Sequence, residues 1–212
     1  MFKQRVNEWY NAHKPEIKET FETVVFVIVM VILIRFFLFE LRWIPSGSMK
    51  PTLIEGDRII VERFSRFYST PKRGDIMVFY PPMVELKNTP WKLFVRLLGV
   101  GCKDIAYIKR VIGTPGDTVE IKTDNTGKST VYVNNEPIDE PYIMSPYDFS
   151  PCTDKNVNCG PTKIPEGKYL MMGDNRGSSL DGRYWGLLSK ERFIGRAVAV
   201  FWPLNRLKTL NH

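Results

Sequence analysis

With 212 residues, 43% of them hydrophobic and 25% charged, the chain fits one folded domain with or without an anchor and is not a disordered protein. Basic and acidic residues balance in residues 1–40, so the net charge of +7 lies in residues 41–212. Such a surface attracts nucleic acid or anionic lipid. Because no Lys/Arg run is interleaved with aromatic residues, we expect lipid and no nucleic acid.

The first predicted element is a transmembrane anchor at residues 21–41, FETVVFVIVMVILIRFFLFEL, in which only Arg35 is charged between residues 23 and 39. About 20 apolar helical residues span a bilayer. The alternatives are a buried core helix, disfavoured because residues 24–34 have no polar face, and a cleaved signal peptide, disfavoured because no A-x-A site follows. We therefore expect a tail at 1–20, a single-pass anchor at 21–41, and an extracytoplasmic domain at 42–212, with membrane lipid as a partner.

Beyond the anchor, apolar residues recur with the period of β-strands. A Gly-Asp turn is followed at once by β-branched or aromatic residues in three places. These are EGDRIIV (55–61), RGDIMVF (73–79) and PGDTVEI (115–121). Further predicted strands lie in TVYVNNEPI (130–138), where Asn134-Asn135 suits a tight hairpin, in KYLMMGDN (168–175) and in GRAVAVFWP (195–203). The pattern predicts a mostly β domain on a helical stalk.

Two stretches rich in Pro, Asn, Asp and Lys, residues 81–105 and 141–166, are predicted excursions from the sheet. The apolar residues 91–99 in the first are core or a second surface that touches lipid. In the second, Cys152 and Cys159 bracket a polar loop, a spacing that suits a small disulfide in an oxidising compartment or two idle thiols. Cys102 has no assigned role.

The histidines exclude the most common way to activate a serine. The chain has two, His13 before the anchor and His212 at the last position, and a Ser-His-Asp triad needs its imidazole packed beside the serine. The same placement excludes a histidine metal site. Three cysteines without a CxxC motif disfavour structural zinc, and no GxGxxG or P-loop motif suggests a nucleotide. We expect no metal and no cofactor.

A neutral lysine is the remaining base for a serine. Its pKa must fall by roughly 3.4 units to reach 7, and burial lowers a lysine pKa by up to about 3–5 units. In YIKRVIGTPGD, residues 107–117, strand alternation places Tyr107, Lys109 and Val111 on one face. The alternative is an exposed edge strand. The candidate serines lie in IPSGSMKPTL, residues 44–53, where Ser-Gly-Ser also suits an ordinary turn.

A third stretch, GDNRGSSLDGRYWG at residues 173–186, crowds polar residues into a loop after a predicted strand. One interpretation is a hydrogen-bonded Asx turn with a local ion pair between Asp181 and Arg183. The other is a functional loop, in which a serine orients the lysine amine while the ion pair stiffens the loop.

Together, IPSGSMKPTL, RGDIMVF, YIKRVIGTPGD and GDNRGSSLDGRYWG resemble, in order, the motifs of the type I signal peptidases, also called leader peptidases. The resemblance covers roughly residues 20 to 203. It implies a catalytic domain of antiparallel β-sheets and a Ser-Lys dyad, with Ser48 as the nucleophile and Lys109 as the general base. The Ser46 hydroxyl and the Ser48 N–H would form the oxyanion hole.

The resemblance also implies supporting residues. Ser179 would hydrogen-bond the lysine amine, Asp181 and Arg183 would form a supporting ion pair, and Tyr107 would line the wall near the lysine. The implied location is the bacterial cytoplasmic (inner) membrane, with the catalytic domain on the periplasmic or outer side. Some family members have two membrane segments whereas this chain shows one, and Gly182 stands where many members have serine.

The implied activity is serine endopeptidase cleavage of N-terminal signal peptides from exported preproteins, after a small residue. Two alternatives remain. One is a related Ser-Lys peptidase specialised for one secreted substrate. The other is an inactive membrane-anchored scaffold, which would have no need to keep Ser46, Ser48, Lys109 and Ser179.

Overall fold

The structure is a computed structural model that describes residues 2–85, 89, 105–147, 149 and 159–210. Helix α1 runs from Phe2 to Phe37, and strand β1 follows at Phe39–Trp43. Residues 39–41, the last of the predicted anchor, therefore lie in a strand and not in the helix. The alternation of apolar and charged side chains in FELRW explains the strand. Within the described part of the chain, no helix combines the length and the apolar character needed to cross a membrane.

The remaining elements are mostly short strands. They are β2 (Arg58–Glu62), β3 (Ile76–Phe79), β4 (Tyr107–Gly113), β5 (Thr118–Thr123), β6 (Ser129–Val133), β7 (Glu136–Pro137), β8 (Thr162–Lys163), β9 (Lys168–Met172), β10 (Leu188–Ser189), β11 (Phe193–Trp202) and β12 (Lys208–Thr209). Two one-turn helices interrupt them, α2 (Ser65–Tyr68) and α3 (Gly182–Trp185).

The strands form two antiparallel sheets. The larger has the order β1-β2-β11-β3-β4-β9-β10, with β12 paired to β11, and the smaller has the order β7-β6-β5-β8. Every pairing between these strands is antiparallel. The predicted mostly β, antiparallel fold is confirmed. Strand β8 lies inside the predicted excursion 141–166, so that prediction was wrong at this point.

The three Gly-Asp turns share one geometry. Each glycine has a φ of +91° to +95°, a conformation that side chains resist, and each aspartate accepts the N–H of the residue three positions earlier. The acceptors are Asp57, Asp75 and Asp117. A strand begins directly after each turn, as predicted from the sequence.

Strand β4 runs through the middle of the larger sheet, between β3 and β9. Its alternating side chains enter different cores, with Ile108 in one hydrophobic cluster and Val111 in another. Lys109 is 4% exposed and Arg110 is 0% exposed. The exposed-edge interpretation of this strand is therefore excluded, and Lys109 lies on the buried face that it shares with Tyr107 and Val111.

Most of the predicted excursion 81–105, including its apolar residues 91–99 and Cys102, lies outside the described part of the chain, and so does Cys152. Cys159 is described, and its sulfur is part of a disulfide. Pairing of Cys159 with Cys152 remains a prediction.

Candidate active site

Ser48 lies in a single 3-10 turn, Gly47–Met49, shortly after β1 ends. Buried anchors hold the turn on both sides. Ile44 is 2% exposed and exchanges backbone hydrogen bonds with Gly56 and Asp57, and the Met49 side chain is fully buried in the core. The apolar residues of IPSGSM therefore fix the backbone, while Ser48 stays half-buried at the surface.

Strand β4 presents Lys109 to this turn. The Lys109 Nζ lies 2.7 Å from the Ser48 Oγ, although the two residues are 61 positions apart. The same Nζ donates to the Ile108 carbonyl oxygen at 3.0 Å, and it lies 5.7 Å from the centroid of the Tyr107 ring. Two of the predicted site residues are thus within hydrogen-bond distance, and a third forms part of the wall beside them.

The electrostatics around Lys109 favour a neutral amine. Burial lowers the pKa of Lys109 from 10.5 to about 8, and the Arg183 charge acts in the same direction. The carboxylates of Asp181 and Asp174 oppose the shift, which explains why the pKa stays above the value of 7 considered from the sequence. Near pH 8 about half of the amine is free to accept a proton.

Ser46 is exposed beside Ser48. Its Oγ lies 3.5 Å from the Ser48 Oγ, the outer limit of a hydrogen bond. A hydroxyl at this distance can turn toward an oxyanion that forms on a carbonyl attacked by Ser48. The structure therefore brings Ser46, Ser48 and Lys109 together, as the sequence predicted.

Ser179 lies nearby without the predicted contact. It is 5% exposed, and its Oγ has no hydrogen-bond partner among the residues described. The hydrogen bond to Lys109 implied by the resemblance is not formed in this structure. A Cβ on Gly173 would lie 2.3 Å from the Ser179 Oγ and 2.4 Å from the Ser48 carbonyl oxygen. The missing side chain at Gly173 is what lets the two serines approach.

Asp181 and Arg183 form the predicted ion pair, fully buried. The Arg183 Nε and Nη2 donate to Asp181 Oδ1 and Oδ2 at 2.9 and 3.0 Å. The Asp181 carboxylate also accepts the Gly173 N–H at 3.0 Å, and Arg183 donates to the Arg176 carbonyl oxygen at 2.7 Å. Because the pair binds the backbone at Gly173 and Arg176, it ties the first part of this loop to residues 181–183.

A second buried ion pair lies beside this one and was not predicted from the sequence. Arg110 donates to Asp174 Oδ1 and Oδ2 at 2.8 and 2.6 Å, and both side chains are 0% exposed. The Thr52 hydroxyl donates to the same carboxylate at 2.5 Å. These contacts join β4, the loop after β9 and the segment after the Gly47–Met49 turn. The only signal in the sequence was the position of Arg110 next to Lys109.

Another Ser-Lys contact lies on the β9–β10 strand pair, at the start of β9. The Lys168 Nζ donates to the Ser189 Oγ across the β9–β10 pair, and both residues are only half-buried. A Ser-Lys contact alone is therefore not distinctive here. The distinguishing features of Ser48 and Lys109 are the burial of the amine and the neighbouring Ser46 hydroxyl. The second pair serves as a matched control in the experiments below.

Comparison with known proteins identifies the family of this chain. Residues 17–202 match the family described as "Signal peptidase, peptidase S26". Signal peptidase I of Leptolyngbya laminosa is 41% identical over 192 residues, 91% of this chain and 83% of that protein. Signal peptidase I of Bacillus licheniformis is 34% identical over 198 residues, 92% and 94% of the two chains. A signal peptidase I crystal structure from Enterococcus faecalis is 26% identical, covers 60% of this chain and 97% of that chain, and has a TM-score of 0.41. The chain belongs to the signal peptidase family, peptidase S26.

Proposed function

We propose that this chain is a membrane-bound serine endopeptidase, a signal peptidase I that cleaves N-terminal signal peptides from exported preproteins after a small residue. The observation that carries the proposal is the 2.7 Å separation of the Ser48 Oγ from the Nζ of buried Lys109. Family membership supports the substrate class, and the low pKa of Lys109 supports its role as a base.

In the first step, neutral Lys109 takes the Ser48 hydroxyl proton while the Oγ attacks the carbonyl carbon of the scissile peptide bond. The resulting oxyanion accepts hydrogen bonds from the Ser46 hydroxyl and the Ser48 N–H. When the tetrahedral intermediate collapses, the carbon–nitrogen bond breaks and the Lys109 ammonium donates its proton to the leaving amine. The mature protein departs, and the signal peptide stays on Ser48 as an ester.

In the second step, Lys109 is neutral again and takes a proton from a water molecule. The hydroxide oxygen attacks the ester carbonyl, and the same two donors receive the negative charge. Collapse breaks the bond to the Ser48 Oγ, which recovers its proton from Lys109. The signal peptide leaves as a carboxylic acid that releases its proton to solvent, and both residues return to their starting protonation states.

We expect Ser48→Ala to abolish cleavage of a preprotein with an Ala-x-Ala signal site, since alanine lacks the attacking oxygen. Purified full-length chain in detergent is incubated with the preprotein, and the products are identified by mass spectrometry. The matched control is Ser189→Ala, which removes the serine of the other Ser-Lys contact and should cleave like wild type.

Each other outcome favours a named alternative. Cleavage of one secreted protein but not of general preproteins would favour a specialised Ser-Lys peptidase. A folded wild type that neither cleaves nor is acylated at Ser48 by a serine-reactive inhibitor would favour the scaffold. Normal cleavage by Ser48→Ala would refute the proposed nucleophile.

We also propose that residues 21–41 anchor the chain in the bacterial cytoplasmic (inner) membrane, with the catalytic domain on the outer side and in contact with lipid. In α1, most apolar side chains of residues 24–34 are exposed. The exposed apolar face continues into β1, where Phe39, Leu41 and Trp43 share one side of the strand and are 43–62% exposed. Burial of this face in lipid removes apolar area from water.

Lipid contact predicts that Trp43 fluorescence is quenched in membranes. In vesicles made with brominated lipid, the full-length wild type should lose more emission than Trp43→Phe, because the variant lacks one quenched tryptophan. The control is Trp185→Phe, because the Trp185 ring packs against the domain core, with its centroid 5.9 Å from that of Phe79. Its loss should leave the quenched component unchanged. Equal quenching of wild type and Trp43→Phe would contradict lipid contact at β1.

A further inference from the structure

Asn175 makes two hydrogen bonds to the Gly47–Met49 turn, which we call the nucleophile turn because it carries Ser48. Its side-chain Nδ2 donates to the Gly47 carbonyl oxygen at 3.1 Å, and its backbone N–H donates to the Ser48 carbonyl oxygen at 3.2 Å. The loop after β9 therefore holds the carbonyl groups on both sides of the Ser48 backbone nitrogen and α-carbon. These bonds span more than 120 positions of sequence.

The bond from the Asn175 side chain to the Gly47 carbonyl oxygen controls the direction of the Ser48 N–H. The Gly47 carbonyl and the Ser48 N–H belong to one planar trans peptide unit, so they point in opposite directions. A donor that fixes the carbonyl oxygen also fixes the direction of the N–H. Among the residues described here, the Ser48 N–H donates to no backbone acceptor, which leaves it available to a substrate oxyanion.

The other restraint on this peptide is local. The Gly47 oxygen also accepts the Lys50 N–H at 3.1 Å, a bond inside the turn that moves with it. The Asn175 side chain is the contact that connects the Gly47 carbonyl to the loop behind Lys109. The buried ion pair of Asp181 and Arg183 fixes that loop, because Asp181 also binds the Gly173 N–H. Asn175 is therefore held in place by its own loop.

We propose that Asn175 is a positioning residue that aims the Ser48 N–H at the oxyanion. The inference rests on the Ser48–Lys109 mechanism proposed above and extends it to a residue that touches neither the substrate nor the lysine. Asn175 acts only through the Gly47–Ser48 peptide. Its loss should weaken stabilisation of the transition state and leave substrate binding and the proton acceptor intact.

The test is steady-state cleavage by the full chain, wild type against Asn175→Ala and Asn175→Asp. Loss of one oxyanion donor costs about 10²–10³-fold in kcat, and a donor left in place but misaimed should cost about tenfold or more. We expect kcat to fall by that amount in Asn175→Ala with KM unchanged. Asn175→Asp should be at least as slow, because a carboxylate oxygen replaces the donor and faces the Gly47 carbonyl oxygen.

Two further measurements separate this role from a general loosening of the loop. The acid limb of the pH–rate profile should stay near pH 8 in Asn175→Ala, since Lys109 keeps its burial and no charge is added, and the thermal midpoint should stay near that of wild type. The matched control is Ser178→Ala, an exposed serine of the same loop, which should behave like wild type. The backbone bond from Asn175 to Ser48 survives in every variant.

The outcomes distinguish this inference from the proposed function. Wild-type kcat in Asn175→Ala, or a lower kcat together with a displaced acid limb, overturns the role of Asn175. If Ser48→Ala is inactive while both Asn175 variants are normal, only the Asn175 inference fails. If Ser48→Ala cleaves normally, the proposed function fails whatever the Asn175 variants do.

Discussion

Replacing Lys109 by methionine is expected to lower kcat/KM for signal-peptide cleavage by about 10²–10⁴-fold at pH 8, because positioned general acid–base groups contribute that much. Methionine is unbranched and apolar, so it fills the buried channel of Lys109 without a proton acceptor. Lys109→Arg should be equally inactive, since a guanidinium stays protonated at every pH of the assay. Initial rates on a preprotein with an Ala-x-Ala site measure both variants.

The pH profile gives the same prediction a second readout. Burial lowers the pKa of Lys109 to about 8, and only a neutral amine can act as the proposed acceptor of the Ser48 proton. The wild-type rate should therefore fall as pH drops from 9 to 6, with half of the maximal rate near pH 8. The residual rate of Lys109→Met should lack this limb.

A matched control is Lys168→Met, which removes the lysine of the other Ser-Lys contact. It should keep the wild-type rate and the wild-type acid limb. A Lys109→Met variant within a few-fold of wild type would show that another group takes the proton. A flat wild-type profile between pH 6 and 9 would show that Lys109 is not titrating in the working site.

The local features of this fold were predictable because neighbouring residues encode them. A Gly-Asp turn needs a glycine that adopts a positive φ and an aspartate that accepts the backbone N–H three residues earlier. Both residues are visible in all three copies of the motif. The Asn134-Asn135 hairpin was predictable for the same reason, since both residues adopt positive φ angles of 55° and 70°. Alternation in β4 likewise predicted the face that carries Lys109.

The order of the strands was not predictable, since it depends on contacts between distant residues. Strand β11 inserts between β2 and β3, and β4 pairs with β9. The pairing of β4 with β9 brings Arg110 to Asp174, and it brings the carboxylates that raise the pKa of Lys109 against burial. Neither the ion pair nor the pKa near 8 follows from any short stretch of sequence.

The role of Ser179 shows the limit of a resemblance. The motif predicts that Ser179 contacts Lys109. In the structure Ser179 is buried near the Ser48 carbonyl, in space that a side chain at Gly173 would fill. The direction of its hydroxyl depends on packing in the loop, and no motif encodes that. Asn175 is the converse case. It stands in the same motif without an assigned role, and its contacts to the nucleophile turn appear only in three dimensions.

Removing the Asp174 carboxylate is expected to destabilise the fold more than any surface change. Arg110 would keep its full charge at 0% exposure and lose the Asp174 carboxylate that it binds, and breaking a buried pair in this way costs about 3–5 kcal/mol. The Thr52 hydroxyl would lose its acceptor as well. Urea unfolding of Asp174→Ala against wild type, with the slope m compared in both, measures the change in the free energy of unfolding.

The control for this prediction is Glu120→Ala, which breaks the exposed pair between Glu120 and Lys122 on the smaller sheet. Solvent already screens that pair, and exposed pairs contribute about 0–1 kcal/mol. A similar loss of stability in both variants would mean that burial does not amplify the Arg110–Asp174 interaction.

A double variant separates the ion pair from the other consequences of truncation. Arg110→Met combined with Asp174→Ala removes both buried charges and keeps an unbranched side chain along the path of Arg110. Because the penalty in Asp174→Ala comes mainly from the unneutralised guanidinium, the double variant should be more stable than Asp174→Ala alone. If the two single losses simply add, the stability of this region comes from the packing of each side chain separately.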